Sequence, residues 1–344
     1  MASSEEKKKK TVDLAVLVSR YATPFAVVLV TGGLILSRPL SPVLELSIGL
    51  IIFGFVFNMY GIRLIQAATG SPKYLIHVRV TVNLTTNVLL IYYLGLHWHP
   101  MWLLLALTPI ATAIYDKRGR VIYVSATVCM LLIAIHAAHG SISPLEWGEQ
   151  LAQVAFIFLM TLMINDLSQM AKGSKTFIAT VYPYATPLAV ILVALGVILS
   201  QPISPVREIS LGLLAFSVLF NTVGFRLLQA FNGDQSFLIP TRLAANLTVN
   251  VMLVYFLGGY WRPMWLLLVL TPFATAIYDT RGKTMFSAVS VSLLLLVIHA
   301  ARGLGSVLEW GEQTAQILFI ILMSLMINEL SRMAKSLKAP AGSE

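Results

Sequence analysis

The sequence contains few charged residues and a single cysteine. Charged residues make up 11% of the 344 positions, whereas hydrophobic residues make up 57%. An ordinary soluble domain carries about 25% charged residues, so this composition excludes a soluble globular protein. Strand-length alternation of apolar and polar residues is also absent, which argues against a transmembrane β-barrel.

Other absences narrow the function. Cys129 is the only cysteine, so no intrachain disulfide can form. The amino-terminal "MASSEEKKKK" leads to no small-residue cleavage site, and we expect no cleaved signal peptide. A Ser-His-Asp set, a phosphate-binding glycine loop and a metalloprotease signature are all missing. We therefore expect a protein that is not an enzyme and has no catalytic residues.

Long apolar runs are abundant. A helix needs about 20 apolar residues to cross a bilayer. The sequence predicts an all-α polytopic membrane protein with 12 transmembrane helices. The apolar runs lie near residues 21–37, 43–67, 76–96, 100–115, 120–138, 144–168, 184–200, 206–230, 239–259, 263–278, 283–301 and 307–331.

The runs form two copies of one pattern. Tyr21–Gly173 aligns with Tyr184–Ser336 without a gap, and 89 of 153 positions are identical. Each copy holds an even number of spans, so the two copies are predicted to be parallel six-helix repeats. The predicted segments are a basic tail at 1–20, repeat 1 at 21–173, a linker at 174–183, repeat 2 at 184–336 and a tail at 337–344.

Lysine and arginine set the predicted orientation. The net charge is +9, and with a cytoplasmic amino terminus 20 of the 24 Lys and Arg residues fall on the cytoplasmic side. Such a bias is typical of cytoplasmic loops. We therefore predict that both termini are cytoplasmic, and we assign the basic residues to membrane orientation instead of nucleic-acid binding.

All six tryptophans fall at the opposite, outer end of the predicted spans. Indole rings favour the lipid headgroup region, so this placement favours an aromatic belt. The capping-box spacing Ser-x-x-Glu at Ser143–Glu146 and Ser306–Glu309 predicts where the sixth helix of each copy begins. The tryptophans are Trp98, Trp102, Trp147, Trp261, Trp265 and Trp310.

Several polar residues recur inside the spans. They are spaced four apart on the third span of each copy and so share one helix face. Two interpretations remain open: hydrogen bonds between helices, or the polar lining of a ligand pocket. These residues are Arg79, Asn83 and Asn87 in repeat 1, and Arg242, Asn246 and Asn250 in repeat 2.

Histidines and glutamates recur near the outer end. His136 and His299 lie late in the fifth spans, and Glu149 and Glu312 lie early in the sixth. These glutamates are candidates to pair with the histidines. The other histidines do not repeat, so the sequence offers no metal site and no haem site. They are His77, His97, His99 and His139.

Short motifs carry a resemblance to a known family. The stretches "FNMYGIRL", "RVTVNLTTNVLLIYYLG", "GLHWHPMW" and "LTPIATAI" recur in repeat 2, where the loop reads "GGYWRPMW". In pattern, each repeat resembles the six-helix membrane sensor domain of RegB-type bacterial histidine kinases. No kinase domain follows, and the family's Asn and Phe in this loop are replaced by His99 and Met101, and by Arg262 and Met264.

The resemblance implies a ligand, a location and an arrangement. RegB-type domains respond to quinone through the outer loop, so the implied cofactor is quinone or a bound lipid. Sensor domains work as dimers, which implies that the two fused copies form an internal pseudo-dimer in a bacterial inner membrane. The implied ligand residues are Trp98, His99, Pro100, Trp102, Trp261, Arg262, Pro263 and Trp265.

Two functions follow as hypotheses. The first is a non-enzymatic membrane subunit, sensor-like or a scaffold, that binds quinone or lipid and acts through other integral membrane proteins. The alternative is a secondary transporter of the kind built from two parallel six-span halves. The central linker is short and most acidic residues lie at the ends of the spans, which favours the first hypothesis.

Overall fold

A computed structural model describes residues 4–67, 73–140, 143–171, 182–224, 235–303 and 305–336. Every regular element in these ranges is helical. The helices of the first half are α1 (Ser4–Ser37), α2 (Val43–Ala67), α3 (Lys73–Leu94), α4 (Leu103–Tyr115), α5 (Arg118–Ala138) and α6 (Pro144–Ala171). Helix α1 begins at Ser4, so it includes most of the basic segment predicted to be a tail.

The second half repeats this order. Its helices are α7 (Tyr182–Ser200), α8 (Val206–Leu219), α9 (Gln235–Leu257), α10 (Leu266–Tyr278), α11 (Arg281–Ala301) and α12 (Val307–Ser336). Helix α8 continues into a π-helical turn at Phe220–Gly224. Most of the predicted linker and the tail at 337–344 lie outside the described residues.

Eight of the described helices are long and apolar enough to cross a membrane. They contain the segments Arg20–Ser37, Val43–Ile65, Tyr74–Leu94, Arg118–Ala138, Pro144–Asp166, Val206–Gly224, Arg281–Ala301 and Val307–Met333. Four further apolar segments are shorter, at His99–Ile110, Thr186–Ser200, Ala244–Leu257 and Arg262–Ile277. A multi-pass membrane protein is therefore the class that the helices support.

Helices from both halves pack around a shared centre. Helix α6 packs against α12, and each of these helices also packs against the first helix of the other half, α12 against α1 and α6 against α7. The contact between the first helix of one half and the sixth helix of the other therefore occurs twice, as in an interface between two identical surfaces. The centre of the molecule thus belongs to neither half alone.

Aromatic rings fill this centre. The ring centroids of Phe156 and Phe319, on α6 and α12, lie 6.1 Å apart. Trp102 meets Phe156 edge-on at 6.0 Å, and Trp265 meets Phe319 at 6.2 Å. Phe156 and Phe319 are at most 1% exposed, and edge-to-face pairs of this kind add to the free energy gained from burial. The two halves are therefore joined by a dry aromatic core.

The second helix of each half lies at the periphery. Only 6% of the apolar segment of α2, and the same fraction of that of α8, is buried. Their exposed side chains include Ile52, Phe53, Leu211 and Phe216. In a bilayer such side chains meet lipid acyl chains, which are as apolar as they are.

The two ends of the bundle differ in chemistry. We call the end that carries Trp98 and Trp261 the tryptophan end, and the end that carries Asp116 and Asp279 the aspartate end. Each aspartate pairs with a base four residues later, Asp116 with Arg120 at 2.8 Å and Asp279 with Lys283 at 3.0 Å. These exposed pairs contribute little stability on their own.

Local signals in the sequence correctly place the start of the sixth helices. Ser143 Oγ accepts from the backbone N–H of Glu146 at 3.2 Å, and Glu146 Oε2 accepts from the N–H of Ser143 at 3.4 Å. Ser306 and Glu309 make the same two hydrogen bonds, both at 3.1 Å. Both predicted capping boxes are therefore confirmed.

Candidate functional site

The loop between the third and fourth helices reaches across to the other half. It begins in extended backbone at Trp98 or Trp261 and turns through a short 3₁₀ segment, His99–Trp102 or Arg262–Trp265. Trp98 lies against Gly33 of α1 and Gly311 of α12, where an added Cβ would come within 2.9 Å of the indole. The loop of the first half is thereby inserted between the first helix of its own half and the sixth of the other.

The loop of the second half makes the equivalent contacts with the first half. Trp261 lies against Gly196 of α7 and Gly148 of α6, with an added Cβ at 3.0 Å or less from the indole. Trp98 and Trp261 are at most 1% exposed, and Trp102 and Trp265 are 7% exposed. The aromatic-belt interpretation is wrong for these four residues, because their rings fill space between helices instead of facing headgroups.

Charged residues of the loops also cross between the halves. His99 Nδ1 lies 3.0 Å from Glu312 Oε1, on α12 of the other half. In the equivalent place, Arg262 interacts electrostatically with Glu149 on α6. We expected the glutamates to pair with the fifth-helix histidines, but Glu312 makes its hydrogen bond to the loop histidine, which lies 213 positions away in the sequence.

The fifth-helix histidines contact tryptophans. The ring centroids of His136 and Trp147 lie 5.0 Å apart, and those of His299 and Trp310 lie 4.7 Å apart, both edge-on. His299 is 3% exposed. The Nε2 atom of each histidine is buried without a hydrogen-bond partner in the described structure, so each presents an unused polar atom near the tryptophan end.

A cavity of about 750 Å³ opens between the halves at this end. We call it the large chamber. Its walls come from both loops and from α6, α8, α9, α11 and α12. Its principal lining residues are Arg262, Trp265, His299, Glu312, Gln313 and Gln316.

A second cavity of about 460 Å³ lies beside the first. We call it the small chamber, and it is lined by Leu96, Trp102, His136, Glu149 and Gln150. Most of these residues are the first-half equivalents of those in the large chamber. Five residues line both chambers, namely His99, Trp102, Glu149, Gln153 and Arg262.

Unpartnered amides converge on the chambers. The Oε1 atoms of four glutamines on α6 and α12 are buried without a hydrogen-bond partner among the described residues. Burying a polar atom without a partner costs about 1–3 kcal/mol, so a sequence that places four such side chains around the two chambers is suited to a polar ligand or to water. The four are Gln150, Gln153, Gln313 and Gln316.

One position near the chambers carries different residues in the two copies. His139 Nε2 lies 2.9 Å from the carbonyl oxygen of Tyr92. In the second half, Arg302 donates to the carbonyls of Val254 and Tyr255, the latter at 3.1 Å. Both side chains thus bind carbonyls in the last turn of the third helix. Burial lowers the pKa of the Arg302 guanidinium from its ordinary value.

The polar residues of the third helix lie elsewhere. In the first half, Arg79 Nε donates to Asn58 Oδ1 at 2.9 Å, and Asn58 and Asn83 exchange two hydrogen bonds at 2.9 Å. Asn87 donates to the carbonyl of Leu104 at 3.0 Å. These contacts join α3 to α2 and α4, which matches the helix-joining interpretation.

The second half repeats these contacts. Arg242 Nε donates to Asn221 Oδ1 at 3.0 Å, and Asn221 donates to Asn246 at 2.8 Å. Asn250 donates to the carbonyl of Leu267 at 3.0 Å. In the first half, Arg79, Asn83 and Asn87 also line a cavity of about 120 Å³, so the pocket interpretation keeps some support there.

The structure brings the predicted loop residues together more completely than the polar residues of the third helix. Six of the eight predicted loop residues line the large chamber, and Trp98 and Trp261 support the loops from behind. Glu149, Glu312 and His299 also line it, whereas His136 lines the small chamber. Among the described residues, no group of three or more His, Cys, Asp or Glu side chains is placed to hold a metal ion.

Sequence reasoning missed two sets of residues. The four glutamines belong to the recurring "EQ" and "AQ" pairs, whose repetition at positions 149–153 and 312–316 was the available signal. Asn165 of α6 and Asn328 of α12 are fully buried and donate to the last carbonyls of α4 and α10 at 2.8–3.1 Å. They hold the aspartate end of the fourth helix of each half.

No family model matches the chain, and neither a curated protein nor a solved structure matches it. The resemblance to RegB-type sensor domains therefore stays a prediction, and the function has to be argued from the chambers.

Proposed function

We propose that the chain is a non-enzymatic integral membrane protein that binds a quinone, or a lipid-like molecule with a similar ring, in the large chamber. The observation that carries this proposal is the set of unpartnered polar atoms in its walls. Four side chains line the chamber and each has a buried atom without a partner in the part of the chain that the structure describes, namely Gln153, His299, Gln313 and Gln316. These atoms are covered in the structure, so a ligand with polar atoms on opposite edges of a ring would bind these side chains once their amide or imidazole groups turn toward the chamber.

The walls suit a flat ring. Trp102 and Trp265 line the chamber beside Tyr260 and Pro263. Aromatic side chains pack against flat apolar groups, and ligand sites of about 300–1,000 Å³ typically combine such walls with a few polar groups. The chamber's volume of about 750 Å³ falls within this range.

Amide side chains can serve both redox states of such a ring. A glutamine presents either its oxygen as an acceptor or its nitrogen as a donor, depending on how the amide is turned. It can therefore donate to the carbonyl of a quinone or accept from the hydroxyl of a quinol. Because neither state needs a nucleophile or a metal, the walls suit a binding protein that responds to the redox state of its ligand.

The architecture that accompanies this function is also part of the proposal. Twelve spans form two parallel six-helix repeats, with the tryptophan end outside and both termini in the cytoplasm of a bacterial inner membrane. Eight long and four shorter apolar helices support the count. The exchange of contacts between α1 and α12 and between α6 and α7 supports an internal pseudo-dimer with its axis along the membrane normal.

The chain would act through other membrane proteins. Helices α2 and α8 present many apolar side chains outward, among them Phe53 and Phe216, and a sensor-like subunit or scaffold would meet partners on those faces within the bilayer. Purification in mild detergent followed by mass spectrometry of bound proteins and lipids tests this part of the proposal.

Direct binding tests the central claim. Purified protein in lipid nanodiscs should bind a short-chain ubiquinone saturably. The double variant Gln313→Leu/Gln316→Leu removes two of the polar wall groups and should weaken binding at least tenfold, which corresponds to about 1.4 kcal/mol. Thr314→Leu provides a matched control, because Thr314 is an exposed residue on the same helix that lies outside the chamber.

Two results would count against the proposal. One is wild-type protein that shows no saturable quinone binding. The other is a double variant that binds as tightly as the wild type while both keep the same unfolding temperature.

A transporter is the second candidate, because the large chamber lies between the two halves, where transporters of the six-plus-six type bind substrates. Beyond the chamber, however, Phe156 and Phe319 close the path with a ring contact at 6.1 Å. Substrate-dependent uptake into proteoliposomes, abolished by Gln313→Leu with Gln316→Leu, would revive this candidate.

A further inference from the structure

The small chamber has the same kinds of walls as the large one. Trp102, His136 and Gln150 stand where Trp265, His299 and Gln313 stand in the large chamber, 163 positions later in the sequence. Within the described ranges, His136 Nε2 and Gln150 Oε1 are buried without hydrogen-bond partners, as their equivalents are. The observations that point to a ligand in one chamber therefore recur in the other.

We infer that the small chamber is a second binding site for the same class of ring, and that the two sites influence each other through a shared wall. This inference rests on the proposed function. Each chain would then bind two ligand molecules, one per half, with unequal affinities.

The two sites differ in size for an identifiable reason. Leu96 lines the small chamber, whereas the equivalent Gly259 lines the large one. A leucine side chain occupies space that the glycine leaves open, in line with the smaller volume of about 460 Å³ against 750 Å³. Both volumes lie in the range of small-molecule sites, so the smaller one still admits a ring without a bulky substituent.

The shared wall provides the coupling. Glu149 interacts electrostatically with both Arg262 and His99, and all three residues line both chambers. A ligand carbonyl in either chamber draws on the same two donors, so the second ligand meets donors that are already engaged. The second ligand is therefore expected to bind more weakly than the first.

Gly259 allows the large site to be narrowed selectively. A Cβ added at Gly259 would meet no atom of the described residues within 4 Å, so Gly259→Leu can be accommodated without displacing the backbone. The neighbouring Gly258 would not serve, because its added Cβ would come within 2.6 Å of the carbonyl oxygen of Val254. Gln150 lines only the small chamber, so Gln150→Leu perturbs that site alone.

A binding titration tests the inference. Full-length protein in nanodiscs is titrated with a short-chain ubiquinone, and the bound ligand is measured by equilibrium dialysis. We expect wild-type protein to bind two equivalents per chain in two distinguishable steps. Gly259→Leu should weaken one step and leave the other. Gln150→Leu should retain one step unchanged and weaken the other at least threefold.

The outcomes separate the inference from the proposed function. A single equivalent in wild-type protein, weakened by Gly259→Leu and unaffected by Gln150→Leu, overturns the inference and leaves the proposed function standing. Absence of any saturable binding overturns both. If Gly259→Leu lowers the unfolding temperature, the Gln150→Leu titration and the wild-type stoichiometry decide the question by themselves.

Discussion

Single glycines determine how closely the halves approach. Gly148 and Gly311 lie at the same place in the two copies of "LEWGEQ", and each receives the indole of the other half's loop. No side chain larger than hydrogen fits under these rings. The close contact between the halves therefore requires glycine, which has no side chain, at these two positions.

We predict that Gly311→Ala destabilises the protein by about 1–3 kcal/mol, the usual cost of overpacking a filled core. The new methyl group would press on Leu36 and lie 2.9 Å from the rigid Trp98 ring. Thermal unfolding in detergent measures the effect.

Gly212→Ala on α8 is the matched control for that change. A Cβ at Gly212 would meet no atom within 4 Å, and alanine in a helix interior is favoured over glycine by roughly 0.5–1 kcal/mol. The control should therefore be neutral or stabilising. Equal unfolding temperatures for both variants would show that the indole does not rest on Gly311.

At the scale of elements, each of the two loops is attached to the opposite half in two ways. One is the buried indole at the start of the loop, and the other is the polar pair at its surface. His99 is 56% exposed and Glu312 is 17% exposed, so water screens their interaction. Exposed pairs contribute about 0–1 kcal/mol, whereas truncating a buried tryptophan to alanine costs about 3–5 kcal/mol.

These magnitudes predict which attachment holds the loop. Trp98→Ala should lower the free energy of unfolding by about 3–5 kcal/mol, and His99→Ala by about 1 kcal/mol or less. Unfolding of the two variants side by side in the same detergent compares them. A larger loss for His99→Ala would mean that the polar pair, not the indole, fixes the loop on the other half.

At the scale of the whole molecule, the two chambers lie in the contact between the halves. The unpartnered glutamines sit on α6 and α12, the helices that meet at the centre. Neither half alone would have complete walls, because each loop extends to the sixth helix of the other half. Fusing two copies in one chain therefore keeps both chambers assembled at any protein concentration.

The proposed orientation can be tested by cysteine labelling in intact bacteria. His97→Cys and Tyr260→Cys lie at the tryptophan end, and Lys117→Cys and Thr280→Cys at the aspartate end. We expect a membrane-impermeant thiol reagent to label the first pair only, because the positive-inside rule places the Lys and Arg residues of the aspartate end in the cytoplasm.

Background labelling should be low, since the native Cys129 is only 6% exposed within α5. Labelling of both pairs from one side would contradict the parallel twelve-span arrangement. The two ends of the fourth helix of each half would then lie on the same face of the membrane. Labelling of the aspartate pair alone would instead reverse the orientation and leave the span count intact.

Composition and local spacing were enough to predict the helices and the capping boxes. A membrane-spanning helix depends on a run of neighbouring apolar residues, and a Ser143–Glu146 capping box depends on residues three positions apart. The polar face of α3 could be foreseen for the same reason, because Arg79, Asn83 and Asn87 are spaced by one helical turn. In each case the interactions involve residues that are only a few positions apart in the chain.

Only the tertiary structure decided how the halves meet. The same tryptophan is stable at a membrane surface or inside a protein, so burial of Trp98 against Gly311 could not be inferred from its neighbours in the sequence. The pairing of His99 with Glu312 and the convergence of four glutamines on two chambers depend on how helices more than 100 residues apart pack together. Periodicity gives the face of a helix on which a residue lies, but the helix that covers that face is chosen by the packing of the whole molecule.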